Sequence, residues 1–414
     1  MKILILNQAF YPDVVSTAQH ATDLAKALTQ VGHDVTVVCS SRGYDDPQIR
    51  FPEREVWNAV NIIRIKSTGF GKSAKWRRAI DFGTFIASCA LRLGLLPRFD
   101  VVVAMTSPPL ISFLASLAVP RKASRLVFWS MDLNPDEAIA AGWLGQGSLT
   151  ARLLSRMLLH SLHRASVVVA LDRFMKDRIA IKGIESERIV VIPPWAHDDC
   201  VRFDSSGRES FRNLHGILNK FVVMYSGNHS PCHPLDTLLN AAERLSSRSE
   251  IVFCFVGGGS ELKKVQRRAQ DCRLQNVLCI PYQPLNKLSA SLSSADLHVV
   301  VLGNEFVGMV HPCKVYNVLA VGIPFLYIGP TESHICELMR RHPGEAYASV
   351  HGDVDATIAS ILQSMQNTPL PRPYSNQLSR EYSKEFLVGR LISVIEQAGG
   401  MRVKIESNLK RKAG

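Results

Sequence analysis

Short apolar runs rich in β-branched residues alternate along the chain with segments in which apolar side chains recur every three or four positions. The runs at 3–6, 34–39, 61–65, 101–105, 126–130, 167–170 and 189–192 have the length and composition of buried strands. Between them lie helical patterns such as 18–31, where Ala21, Leu24, Ala25 and Leu28 fall on one face. The pattern pauses after Pro193-Pro194-Trp195 and restarts with runs at 221–225, 251–256, 277–280, 297–301 and 324–328. This alternation predicts an α/β fold of two doubly wound, Rossmann-like domains with parallel sheets, facing each other across a cleft at their carboxyl strand ends. The polar stretch 198–215 reads as the linker. The expected division is 1–200, 201–385, and a closing helix with a basic tail, 386–414, crossing back to the first domain.

Composition fits this reading. A chain of 414 residues is too long for one core and suits two domains of about 200 each. Hydrophobic content of 46% and charged content of 20% are those of a globular protein. The net charge of +12 is spread over both halves, which argues against a basic nucleic-acid stripe and fits anionic substrates or an anionic membrane surface. The nine cysteines are scattered without a Cys-x-x-Cys pair, which points to a reducing compartment without structural zinc or a disulfide framework. The apolar run after Met1 is too short for a signal peptide. Residues 101–120 carry no charge, but Pro108-Pro109 divides them into a strand and a helix rather than one membrane span.

Three loops are candidate phosphate sites. The first strand runs into Tyr11-Pro12-Asp13, where Ser16 or Thr17 can cap the following helix, without the glycine triplet of a dinucleotide fingerprint. In the second half, Gly227-Asn228 follows the strand at 221–225 and leads to His229 and His233. Pro231 and Pro234 prevent a regular helix there, so hydrogen-bonding histidines are favoured over a metal pair. Gly257-Gly258-Gly259 follows the next strand and suits either close approach of a ligand or a plain turn. Gly308, Pro312 and Lys314 open a further helix, where unpaired N–H groups and a lysine favour an anion. On the other side, Asn134-Pro135-Asp136-Glu137 has the composition of a helix start, with Asp132 just before it at a strand end. Lys72, Lys75, Arg77 and Arg78 precede an apolar stretch that includes Phe82, Phe85, Leu91 and Leu95, which suits either an interfacial helix or a core helix with a solvated basic end. A second basic amphipathic segment runs over 152–164.

Taken in order, these pieces resemble glycosyltransferase family 4, with the GT-B fold, and are similar to its branch that builds O-antigen, colanic acid and related exopolysaccharides. The resemblance is carried by Tyr11-Pro12-Asp13, Gly32-His33-Asp34, Thr106-Ser107-Pro108-Pro109, Asp132-Leu133-Asn134-Pro135, Pro193-Pro194-Trp195, Tyr225-Ser226-Gly227-Asn228, Phe255-Val256-Gly257-Gly258, Ser294-Ala295-Asp296 and the stretch around Lys314. It implies a retaining, metal-independent transferase of hexosyltransferase type, with no cofactor beyond a UDP- or GDP-sugar donor held mainly by the second domain. The implied acceptor is a lipid-linked or other glycan held mainly by the first domain. The implied location is cytoplasmic, on the inner face of the membrane.

The chain also departs from the family. Asn228 and His233 stand where the family has an arginine and a lysine, and Asn317 stands where a second glutamate grips the ribose. Glu305 resembles the first glutamate, set one helical turn too far from Asn317. Lys314 is therefore expected to take over the diphosphate contact, helped by the backbone at Gly308 and by His233. Asp132 is expected to orient the acceptor hydroxyl, and Gly257, Gly258 and Tyr282 complete the donor side. A nucleotide-sugar epimerase, which needs a second cleft carboxylate, and a non-catalytic partner subunit are the alternatives.

Overall fold

The computed structural model describes residues 1–401 apart from 45, 72–74, 198–199, 342–345 and 368–380. Lys72 and the basic tail lie outside the described residues. The first sheet is built from β1 (Lys2–Leu6), β2 (Asp34–Ser40), β3 (Arg54–Trp57), β4 (Val60–Ile65), β5 (Phe99–Ala104), β6 (Ala123–Trp129), β7 (Val167–Ala170) and β8 (Ile189–Val191). Its order is β3-β4-β2-β1-β5-β6-β7-β8, parallel except for the edge strand β3. The second sheet, from β9 (Phe221–Asn228), β10 (Ile251–Gly258), β11 (Val277–Ile280), β12 (Leu297–Val301), β13 (Phe325–Ile328) and β14 (Ala346–Ser349), is wholly parallel in the order β11-β10-β9-β12-β13-β14. Each order reverses direction once, between β1 and β5 and between β9 and β12. A ligand crevice opens at such switch points, outside the carboxyl ends.

The strand runs read from the pattern form, with ends shifted by a few residues. β3 was not expected. It forms a hairpin with β4 over Asn58 and Ala59, both at positive φ, and its alternating charged residues give no buried run. β14 likewise lacks an apolar run.

The stretch 198–215 is not only linker, because Ser205–Leu214 is a helix capped by Asp204, whose side chain accepts from Gly207 N. Its buried face is partly arginine, which hides it from a hydrophobic pattern. Arg212 and Arg208 both reach Asp296, at 2.6 and 2.5 Å, and Asp296 also accepts from Val222 N at 2.7 Å. One carboxylate thus ties this helix to the edge of β9, which is the structural reason for the Ser294-Ala295-Asp296 motif.

The closing helix, Lys384–Ala398, packs on the first sheet beside the helix Ser16–Gln30, burying Leu387, Leu391 and Ile395. His33 meets Glu396 at 3.0 Å, and Lys384 meets Asp23 at 2.5 Å. Asp23 also accepts from Trp195 Nε1 at 2.9 Å, so the Pro-Pro-Trp segment is anchored to the first domain. Among the described residues, no helix is long and apolar enough to cross a membrane.

Candidate active site

The strand β9 ends in Tyr225-Ser226-Gly227-Asn228, and its neighbour β10 ends in Gly257-Gly258. Gly227 faces Gly257 in register, and a Cβ on Gly257 would lie 2.1 Å from Gly227 O. Two glycines at φ +132° and +134° are needed for the strand ends to close this tightly. The bare floor is met by Lys314, the first residue of the helix Lys314–Val321. Its Cε and Nζ each lie 3.3 Å from where a Gly227 Cβ would be. Nζ stands 3.5 Å from the centroid of the Tyr225 ring. That ammonium is out of solvent with no hydrogen-bond partner among the described residues. Burial pushes its pKa well below the ordinary lysine value, against a smaller opposing pull from Cys313. A buried cation supported only by an aromatic face is a costly arrangement that a bound anion relieves.

The first domain brings carboxylates to the same place. Asp132 follows β6, and the domains touch there: Asp132 forms an isolated bridge with Val310, and Leu133 N donates to Met309 O at 2.9 Å. Burial, then the neighbouring Glu137, pushes the Asp132 carboxyl up to about 8. Glu137 is also raised by burial, although Cys232 Sγ, at 3.5 Å, and Asn134 Nδ2, at 2.9 Å, both donate to it. Cys232 belongs to the Gly227 loop, so this contact crosses the cleft. Cys313, between Pro312 and Lys314, is pushed up to about 12 by burial and by Asp132, while Ser16 hydrogen-bonds to it. Asp132, Glu137 and Ser16 from one domain thus converge on Cys232 and on Cys313, the residue before Lys314, of the other.

Several expectations need correcting. Ser16 and Thr17 do not cap their helix: Val15 is the cap residue, without a side-chain bond, and Ser16 is exposed in the first turn. Asn134 does not cap either, because Pro135 holds that position and Asn134 donates to Glu137. Asp136 is paired with Lys182 at 2.7 Å. His233 is no phosphate cation: its Nδ1 donates to Val301 O at 2.7 Å, and burial and Lys314 push its pKa down to about 3. His229 packs on Tyr225 and Phe255 and is pushed down to about 4 by burial and Lys314. Gly308, at φ +72°, faces the first domain: a Cβ there would lie 2.6 Å from Phe174 O. Asn317 Oδ1 accepts from His197 N at 3.2 Å, which commits it to the segment after Trp195.

Glu305 is exposed on the short turn Asn304–Phe306, which packs against the helix Asp136–Ala140. Asn228 is exposed at the rim. Tyr282 stands 55% exposed beside Gly258, its hydroxyl 3.5 Å from Gly258 O, leaving a ring face at the mouth of the second sheet. Sequence reasoning missed Glu137, Cys232 and Tyr225 as members of the site. Glu137 carries an ordinary helix-start signal, and no local pattern distinguishes a carboxylate that will meet a thiol 95 residues away.

Comparison with known proteins places this geometry. Residues 17–195 match the family model described as a glycosyl transferase 4-like domain, and residues 207–377 match glycosyl transferases group 1. The chain is 25% identical over 406 residues to the putative colanic acid biosynthesis glycosyl transferase WcaI of Escherichia coli, covering 94% of this chain and 96% of that one. It is 25% identical over 231 residues to the probable glycosyltransferase WbjE of Pseudomonas aeruginosa, covering 56% of this chain and 58% of that one. Among solved structures it resembles HepE of Anabaena, crystallised with UDP and glucose, with a TM-score of 0.70 at 16% identity over 96% of this chain and 100% of that one. It also resembles the sucrose-phosphate synthase of Thermosynechococcus elongatus, with a TM-score of 0.74 at 12% identity over 96% and 98%.

Proposed function

The chain belongs to the family 4 glycosyltransferases of GT-B fold, and from that premise we propose that it moves a sugar from a UDP- or GDP-sugar to a lipid-linked glycan, with retention of anomeric configuration. The observation that carries the proposal is the buried Lys314 ammonium, unpartnered among the described residues, against the Gly227 turn, with its neighbour Cys313 facing Asp132. A donor diphosphate set there meets a fixed cation where leaving-group charge develops, in a water-poor site that strengthens the contact. The charge is met by the protein rather than by a divalent ion on the diphosphate. Tyr282 offers a stacking face for the base. Asp132 orients the acceptor hydroxyl for attack from the same face as the departing phosphate, whose oxygen takes the proton. Holding both substrates in this geometry supplies the rest of the rate enhancement. HepE, crystallised with UDP and glucose, supports the donor class, and the colanic acid relative supports the acceptor class.

The acceptor side has a recess lined by Gln8, Arg42, Tyr44, Thr68 and Arg78, at the carboxyl ends of β1 and β2. Arg78 belongs to the helix Lys75–Leu95, which exposes Trp76, Leu91 and Leu95. The helix Leu149–Arg164 exposes Leu149 and Leu153 beside Arg152 and Arg156. Basic groups next to apolar ones suit an anionic bilayer that delivers a lipid-linked acceptor to the recess.

A thermal-shift screen of the full chain against UDP-, GDP- and dTDP-sugars, followed by transfer assays with isoprenoid-linked acceptors, tests the reading. One nucleotide class is expected to stabilise the protein and to support transfer. Nucleotide binding with neither transfer nor donor hydrolysis would identify a non-catalytic subunit instead. The Asp132–Glu137 pair gives the epimerase alternative the carboxylates it needs. Deuterium incorporation into the donor sugar without acceptor would select that alternative. Sedimentation with anionic vesicles at low salt tests the membrane face: Leu91→Asp with Leu95→Asp is expected to weaken binding, and an unbound wild-type protein would refute it.

A further inference from the structure

On the flank of the cleft, Asp172, His311 and His334 form a second buried polar cluster, and we propose that it is an interdomain Zn²⁺ site. Asp172 precedes the helix Arg173–Ile181 of the first domain, while His311 and His334 belong to the second. They are 6%, 5% and 7% exposed, and one ligand atom from each lies within 4.8 Å of the others. Asp172 Oδ2 is 2.7 Å from His311 Nδ1 and 3.4 Å from His334 Nδ1. The two imidazoles stack with centroids 3.8 Å apart and planes 19° apart, which turns both Nδ1 atoms towards the same carboxylate oxygen.

Hydrogen bonding alone leaves this cluster incomplete. His311 is satisfied on both sides, since its Nε2 meets Tyr316 OH at 2.7 Å. His334 is not: among the described residues neither ring nitrogen has a hydrogen-bond partner, although the residue is buried. An unpaired buried nitrogen aimed at a carboxylate is what a cation between them would resolve.

The geometry suits zinc. Tetrahedral Zn²⁺ with ligands at about 2.0–2.1 Å separates them by about 3.3 Å, and the separations of 2.7 and 3.4 Å from Asp172 bracket that value. The outer shell of such a site is also present. Tyr316 OH orients the His311 ring from behind, and Asp172 Oδ1 is fixed by accepting from Met175 N at 2.8 Å. Three protein ligands leave a fourth position for water. A bound ion would tie the two domains together beside the Arg173–Glu337 ion pair. It would stand apart from the Lys314 ammonium, which faces Tyr225, so the inference does not rest on the diphosphate assignment.

Untagged full-length protein, stripped with chelator and titrated with Zn²⁺ by calorimetry, tests the site. One equivalent is expected to bind and to raise the melting temperature. Co²⁺ in its place is expected to give visible ligand-field bands without the thiolate charge-transfer band that a cysteine ligand would produce. Loss of an outer-shell partner costs about 10–100-fold in affinity, so His334→Ala, which removes a ligand, is expected to cost at least about 100-fold. Asp172→Asn keeps a capping oxygen for Met175 N and is expected to weaken binding while the metal-free protein stays folded. No bound equivalent in the wild type, a thiolate band with Co²⁺, or wild-type affinity in folded His334→Ala would each overturn the proposal.

Discussion

The ammonium of Lys314 stands 3.5 Å from the centroid of the Tyr225 ring, joining the first residue of one helix to the strand whose carboxyl end carries the Gly227 turn. That contact replaces none of the hydrogen bonds an ammonium has in water, so in the unliganded protein Lys314 is a cost. Lys314→Met keeps the aliphatic stem and removes the buried charge. It is expected to stabilise the free protein by roughly 1–3 kcal/mol, measured by denaturant unfolding. A loss of stability would show that the cation already has a partner.

Donor binding should carry a proton linkage that belongs to Lys314 and not to His233. A bound diphosphate restores the lysine pKa that burial depresses, so the complex holds more proton than the free protein. Nucleotide affinity is therefore expected to weaken as pH rises through that window, with proton uptake visible in calorimetry across buffers of different ionisation enthalpy. His233, pushed down to about 3 by burial and Lys314 against the smaller raising effect of its bond to Val301 O, contributes nothing between pH 6 and 8. His233→Asn should leave the slope of affinity against pH unchanged, and a flattened slope would return the charge to His233.

Asp132 makes the opposite kind of demand on stability. Its carboxyl goes from an ordinary value of 3.8 to about 8 on folding, so between those values the native chain holds protons that the unfolded chain has released. Stability contributed by this group falls as pH rises across the window. Asp132→Asn is expected to flatten the decline and to stabilise the protein at pH 8 by roughly 1–3 kcal/mol, while lowering transfer. Parallel stability curves for the two proteins from pH 5 to 8 would contradict the burial of this carboxyl.

Asp296 tests the helix that the hydrophobic pattern missed. It holds Arg208, Arg212 and Val222 N at once, and its removal strands a buried guanidinium. Asp296→Ala is expected to destabilise by about 3–5 kcal/mol in chemical denaturation. A change below about 1 kcal/mol would mean that the helix Ser205–Leu214 is held by apolar contacts alone.

These cases show what the sequence makes legible. The β-branched runs of β1, β5, β9 and β12 are readable because both sheet faces are buried, and the switch points follow from their order. The helix Ser205–Leu214 and the strand β3 are not, because arginine pairing and a hairpin at a polar edge replace apolar periodicity. In the site, Lys314 is visible because a helix-start lysine after glycine and proline is a local signal. Glu137 and Cys232 are invisible because their contact arises only when the domains meet, and Tyr225 because its contact with Lys314 joins distant parts of the second domain. The same holds for Asp172, His311 and His334, which are scattered over more than 160 residues.

The central claim is that Lys314 binds the donor diphosphate, and nucleotide binding to wild type and Lys314→Met by calorimetry at low salt tests it most directly. Loss of a charge-assisted hydrogen bond is worth about 1.5–3 kcal/mol, so the variant is expected to bind the preferred nucleoside diphosphate about 10- to 150-fold more weakly while remaining folded. Equal affinity in the two proteins would contradict the account.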